Sequence, residues 1–325
     1  MAGNEPQFLY SFLLDGRGGG KSLDFSAISN WSPAHGKIWL HFDVSEPNAC
    51  RWLEQDSGLP LDAIDTLLAG ETRPRSSITP SGLLVVLRGV NTNPGEDPED
   101  MVSVRLWVDG DRVISSRRRR LLSVTDINEA ILAGNGPETP GQLLAMLTER
   151  LADRIGNFVD SIEDRLDSAE DEIGTGDLSM FRPKLSALRR QVASVRRFLA
   201  PQRDALDRLN RQPVAALDEE DAHHLRQEAD RITRYLEDLD LARERAIVLQ
   251  EELLSQIAQQ QNARMYVLSV VAAVFLPLTF VTGLLGMNVG GLPGLESPWG
   301  FYGSVAIMGI VTAVLVVYFR WKKWL

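Results

Sequence analysis

Cysteine is almost missing from this chain: Cys50 is the only one in 325 residues. That excludes an intramolecular disulfide and a thiolate metal cluster, and it fits a reducing compartment. Histidine is sparse as well. His35, His41, His223 and His224 lack zinc-finger spacing, and neighbouring helical residues such as His223 and His224 diverge in direction. Positive charge is also in deficit, with a net charge of −10, which argues against a nucleic-acid partner. The start, MAGNEPQFLYSFLLDG, has neither a basic n-region nor a small-residue cleavage site, so it does not read as a secretory signal. No Ser-His-Asp set or paired carboxylates stand out, so nothing indicates an enzyme.

The phosphate-loop pattern fails on one residue. In Gly16-Arg17-Gly18-Gly19-Gly20-Lys21-Ser22, the position that must hold the first glycine is Asp15. The stretch reads as a Gly-rich turn between strands. Arg117 to Arg120 read as a salt-bridged or solvated face, with a specific anion site as the alternative.

The most informative absence is local. No Asp, Glu, Lys, Arg or His occurs from Met265 to Leu285, nor from Phe301 to Phe319. At about 1.5 Å per residue each run is long enough to cross a bilayer core of roughly 30 Å. Residues 265–325 hold only Glu296, Arg320, Lys322 and Lys323 as charges, whereas residues 1–264 carry −12. The basic residues follow the second run, and the 286–300 connection has neither Lys nor Arg. The positive-inside rule then puts both termini in the cytoplasm and the connection outside. Tyr266, Trp299, Tyr302, Trp321 and Trp324 sit where interfacial aromatics belong.

What remains divides by texture. Residues 1–124 alternate short β-branched and aromatic runs (8–14, 37–44, 83–90, 104–108 and 112–116) with two short helices, after Pro47 and from Pro60 to about Gly70. Asp109-Gly110 reads as a two-residue hairpin turn needing positive φ. Residues 125–217 read as helical. A short helix covers about 125–133. A long one, capped by Thr139 with Pro140 at its first position, stops at Gly174-Thr175-Gly176. Asp177 caps its antiparallel partner, with a kink expected at Pro201. Asp218 caps a stalk over 218–264. Its apolar positions Leu225, Ala229, Ile232, Leu236, Leu239, Ala242 and Ala246, extended by Gln250, Leu253 and Ile257, alternate in threes and fours like a heptad seam. With no Pro or Gly before Pro277, the stalk should enter the first span, 265–285, as one helix and should self-associate. A loop over 286–300, a second span over 301–319 and a basic tail over 320–325 complete the division.

Within the first span Met265, Leu268, Ala272, Leu276, Thr279 and Gly283 recur on one face. Plain helix packing explains such a face. Pro277, the polar Gln259-Gln260-Gln261-Asn262 run, Glu251-Glu252 below it and an amide at the far end favour a cation pore. A membrane-anchored coiled-coil scaffold or sensor is the alternative of a different class.

The span ends in Gly286-Met287-Asn288, followed by Val289-Gly290-Gly291-Leu292-Pro293-Gly294. This signature, the uninterrupted stalk and the two C-terminal spans resemble the CorA-type divalent metal ion transporters over essentially the whole chain. The residues after the signature, together with Leu14-Asp15-Gly16-Arg17-Gly18-Gly19, Glu71-Thr72-Arg73-Pro74-Arg75 and Ala200-Pro201-Gln202-Arg203-Asp204, resemble the zinc-transporting ZntB branch. The Met-Pro-Glu-Leu type loop more usual in the magnesium branch is absent.

The resemblance implies an α+β cytoplasmic domain on a long helical stalk with two transmembrane helices. It also implies a funnel-shaped homopentamer in the bacterial inner membrane. Met265, Leu268, Ala272, Leu276, Thr279 and Gly283 would line the pore. Gly286, Met287 and Asn288 would select cations at the outer entrance, Asn288 acting through the ion's hydrating water. Glu251 and Glu296 would attract cations. No prosthetic group is implied. The cargo would be Zn²⁺, taken up with coupling to protons, with Mg²⁺, Co²⁺, Ni²⁺ and Cd²⁺ open as alternatives. Zinc prefers imidazole and thiolate ligands, and residues 265–325 contain neither His nor Cys. A hydrated ion therefore suits this span better than a bare, ligand-bound one.

Overall fold

The computed structural model describes residues 6–173, 181–211, 214–287, 289 and 297–322. They fall into two compact units, Met1–Gln250 and Glu251–Leu325.

The first unit is built on a seven-stranded sheet in the order β2-β1-β3-β7-β6-β5-β4. The strands are β1 (Tyr10–Leu14), β2 (Gly20–Ser22), β3 (Ile38–Asp43), β4 (Arg75–Thr79), β5 (Gly82–Gly89), β6 (Val102–Val108) and β7 (Arg112–Arg117). Every neighbouring pair is antiparallel except the central β3–β7, which is parallel, with Leu40 opposite Ile114. Helices cover both faces, so the central strands are apolar on both sides. On one face Ile38, Leu40, Phe42, Trp107 and Ile114 pack with Trp52 and Leu53 of α2 (Pro47–Gln55) and Ile64 and Leu67 of α3 (Leu61–Leu68). A short helix, α1 (Phe25–Ser29), adds Ile28.

The other face is covered by α5 (Pro140–Ile173) and α6 (Phe181–Arg211), with α4 (Leu122–Leu132) against α5. Leu151 of α5 sits so close to Gly89 that a Cβ there would lie 2.6 Å from it. The backbone N–H of Arg88 donates to Gln202 Oε1 on α6 at 2.7 Å. Further along, Arg165 of α5 donates to Gln191 of α6 at 2.7 Å, so the two helices run antiparallel. Thr139 caps α5 as expected, its hydroxyl accepting from Gln142 N–H at 3.0 Å. The expected break at Gly174-Thr175-Gly176 and the cap at Asp177 lie outside the described residues. α6 runs through Pro201 as one helix.

The Asp109-Gly110 turn is built differently from the expectation. Gly110 does not adopt positive φ. Instead the Asp109 carboxylate accepts the N–H groups of Asp111 (3.1 Å) and Arg112 (2.9 Å), and Asp109 N–H closes on Arg112 C=O. An aspartate folding back on its own backbone replaces the glycine conformation. The Gly-rich turn at 15–20 does join β1 to β2, with Gly16 and Gly18 at positive φ and the Asp15 carboxylate accepting from Arg17 and Gly19 N–H.

The long helix is α7 (Glu219–Leu285), 67 residues without a break. Asp218 caps it through Asp221 N–H at 2.7 Å. The expected seam is real, but its partner is not a second copy. Leu225, Ala229, Ile232, Leu236, Leu239, Ala242 and Ala246 are all buried within this one chain. Arg231 pairs with Asp153 of α5 at 2.7 Å, and Arg245 with Asp167 and Glu170 of α5 at 2.7 and 2.9 Å. Arg196 of α6 pairs with Asp240 at 3.0 Å. The spacing that suggested self-association is satisfied by α5 and α6, so it carries no argument for an oligomer.

Candidate functional site

The second unit contains the C-terminal part of α7 and the helix α8 (Gly300–Trp321). Each carries a stretch long and apolar enough to cross a membrane. With no water in a bilayer core, polar groups must be satisfied within the helix. Ser269 donates to Met265 C=O and Thr279 to Phe275 C=O, both at 2.8 Å, and Thr282 donates to Thr279 C=O at 3.0 Å. Pro277 lies inside the helix and offers no N–H to the Ala273 carbonyl. The helix nevertheless continues to Leu285, and Gly286 N–H still reaches Thr282 C=O at 2.9 Å.

Exposure divides α7 lengthwise here. Val270, Ala273, Val274, Pro277, Leu278, Val281 and Leu285 are half-covered. On α8, Ser304, Met308, Val311, Thr312 and Leu315 are half-covered and Phe319 is buried, again along one stripe. These are the marks of two paired helices. Met265, Leu268, Ala272, Leu276, Thr279 and Gly283 are exposed without exception, with Leu268 at 62% and Leu276 at 72%. At about 100° per residue they lie on the side of α7 opposite its half-covered stripe. Gln261 falls on that same side, and Glu251 lies within roughly 60° of it; both are exposed. The six expected face residues thus share one exposed side of α7 with Gln261, which stands out in the sequence only as one member of a polar run.

Gly286 and Met287 are exposed at the end of α7. Asn288 and Glu296 lie outside the described residues. Among the described residues no three His, Cys, Asp or Glu side chains gather as a metal site. His223 and His224 have ring centroids 6.4 Å apart and both are exposed.

The sequence model described as CorA-like Mg2+ transporter protein matches residues 35–323. The chain belongs to the CorA family. A CorA-family relative from Pseudomonas aeruginosa, named divalent cation transporter CmaX, is 41% identical and aligns over 100% of this chain and 98% of its own. A zinc transport protein ZntB from Pectobacterium atrosepticum is 34% identical over 100% of this chain and 99% of its own. The solved structure of a full-length CmaX protein superposes with a TM-score of 0.85 at 40% identity, covering both chains completely. The fold is thus that of a full-length CorA-family protein, and the chain is a divalent cation transporter rather than an enzyme. The relative named for divalent cations in general is more similar to it than the one named for zinc.

Proposed function

We propose that the chain takes up divalent metal cations, Zn²⁺ first among them, across the bacterial inner membrane. It does so as a homopentamer whose axial pore is lined by Met265, Leu268, Ala272, Leu276, Thr279 and Gly283. The observation that carries this reading is the uniform exposure of that face, turned away from the half-covered stripe of α7. A lone chain leaves it unused; symmetry turns each residue into a ring. Leu268 and Leu276 would form hydrophobic constrictions, and Thr279, whose proton is already given to Phe275, would offer oxygen lone pairs. Gly286, Met287 and Asn288 would form the outer entrance, with the amide of Asn288 meeting the ion's water shell. Glu251 on the inner side and Glu296 outside would raise local cation concentration. Both termini would be cytoplasmic.

Zinc rests on the relatives named ZntB. A Mg²⁺ or Co²⁺ cargo is favoured by a separate observation. Residues 265–325 hold no His or Cys, so this stretch offers no ligand set that would prefer zinc over another hydrated divalent cation. Proton coupling belongs to the zinc reading.

Flux into proteoliposomes tests the whole reading. Wild-type protein should brighten an entrapped zinc indicator under an inward zinc gradient, faster when the outside is acidic. Asn288→Ala should slow entry about tenfold or more, the scale of about one net hydrogen bond lost at the entrance. If wild type and variant leave the indicator equally dark, transport of zinc is refuted. The same vesicles loaded with magnesium and cobalt indicators rank the cargoes.

A further inference from the structure

A buried arginine in the first unit lacks a counter-charge among the described residues. Arg105, on β6, is completely buried. Its Nη2 donates to Gly70 C=O at 3.0 Å, while Nε and Nη1 have no hydrogen-bond partner. The charged groups that act on it are Arg118 and Arg88, both of its own sign. Burial first, and these two arginines second, lower its pKa to about 10, so it stays protonated at neutral pH. A buried ion is normally paired, because its desolvation costs several kcal/mol, on the order of the stability of a domain.

Beside it lies a cavity of about 300 Å³ at one end of the strands. Gly70, Glu71, Arg88, Asp100, Ser103, Arg118 and Arg119 contribute to its wall. Arg88 is held there by Thr72 C=O and Met101 C=O, and Arg119 is occupied by Asp100 at 2.6 Å and Glu96 at 3.1 Å. Arg118 is different. It is exposed and, among the described residues, makes no hydrogen bond or ion pair. Its guanidinium stands 3.5 Å from where a Cβ on Gly70 would be, so the Gly70 peptide separates it from Arg105. Thr72 Oγ1, next to Glu71 of the wall, is another buried polar atom without a partner. Arg88, Arg118 and Arg119 thus line the cavity with Arg105 behind them, against Glu71, Asp100 and Glu96, of which the last two are already engaged by Arg119. The hydrogen-bond donors left over include Nε and Nη1 of Arg105 and the Arg118 guanidinium.

We propose that this cavity binds a phosphate-type oxyanion, which Arg118 grips directly while Arg105 and Arg88 supply the positive field behind it. The planar fork of a free guanidinium matches a tetrahedral oxyanion in a way that it does not match a spherical halide. The volume lies at the low end of ligand pockets, about 300 Å³ and upward, which suits a phosphate group alone or one end of a small nucleotide. The site lies in the first unit and uses none of the residues assigned to ion passage. It stands whether or not the pore reading does.

Titration calorimetry on the full-length protein in detergent, in metal-free, low-chloride buffer, tests this with two probes. Inorganic phosphate and adenosine monophosphate each report on the shared chemistry, and the tighter of the two identifies its source. Binding tighter than about 1 mM is expected for at least one. Arg118→Ala should weaken it roughly tenfold or more, the loss of one charged hydrogen-bonding group. Arg234→Ala, an exposed arginine on α7, should leave it unchanged. Bound phosphate should also raise the unfolding temperature of wild type but not of Arg118→Ala. No binding by either probe overturns the proposal, as does equal binding by Arg118→Ala, or an equal Arg118-dependent response to chloride.

Discussion

Two stretches of one helix carry the same apolar rhythm and opposite exposure. From Leu225 to Ala246 the seam positions of α7 are 0–6% exposed, each sealed against its own chain. From Met265 to Gly283 the recurring face is open along its whole length. A spacing of threes and fours states that a face has a partner but not where the partner comes from. The flanking residues carry that information. Around the seam, Arg231 and Arg245 reach carboxylates on α5, which fixes an intrachain neighbour. Around the second face there is no charge at all between Met265 and Leu285, which fits lipid or identical copies.

The sharpest way to break this contrast is to cut both faces alike. Ile232→Ala leaves a cavity in a fully buried site and should destabilise the first unit by about 2–5 kcal/mol. Leu276→Ala should leave that unit within about 0.5 kcal/mol of wild type and change ion flux instead. Thermal unfolding followed by circular dichroism, beside the flux assay, separates the two; equal losses of stability would erase the distinction. A smaller effect is expected at the ionic side of the seam. Burial pushes the Glu228 carboxyl up from its ordinary range, and Arg231, 2.9 Å away, pulls it back. Arg231→Met leaves that carboxylate and Asp153 without their partner, at a cost of about 1–3 kcal/mol. A denaturation midpoint identical to wild type would show the pairs to be dispensable.

A further effect is a pH slope. His41 is buried on the sheet with Nδ1 against Ser115 Oγ at 2.9 Å, and burial, then Arg117, lowers its pKa to about 3. The unfolded chain takes up that proton near pH 6.5, so the contribution is complete above that value. It is lost as pH falls through the window down to about 3, at roughly 1.4 kcal/mol per unit. His41→Gln should flatten the slope by this amount between about pH 6.5 and 5. Parallel stability curves for the two proteins would place His41 in a protonated site instead.

Much of this architecture was legible in the residues. Five of the seven strands announced themselves by β-branched and aromatic runs, and Thr139 and Asp218 cap the helices they were expected to cap. β2, Gly-Lys-Ser, and β4, Arg-Ser-Ser-Ile-Thr, did not. Both are edge strands of the sheet, held by backbone pairing on one side, so their side chains need no apolar pattern. α4 begins at Leu122, three residues earlier than its apolar spacing suggested, since its start rests on Leu121 with no side-chain cap to mark it. The open face of α7 was readable because membrane burial imposes helical periodicity on charge-free sequence. The arginine cavity was not. Arg105 sits in Val-Ser-Val-Arg-Leu-Trp-Val, which reads as a strand with two polar residues, Ser103 and Arg105, on its outer side. Only the α2/α3 layer, packed on the Trp107 face of β6, turns that side inward.

The parallel pairing at the centre of the sheet also sets a timetable for synthesis. β3 carries Trp39, Leu40 and Phe42, all at 1% exposure or less once folded. Its inner neighbour, β7, begins at Arg112, some 70 residues later in the chain. At about 5–20 residues per second, a ribosome takes roughly 4–14 s to deliver it. During that interval β1 can cover only one edge of β3, and both apolar faces wait for helices as well. The nascent chain therefore passes through a sticky half-sheet, and a slowed ribosome between codons 44 and 112 should raise its dependence on chaperones.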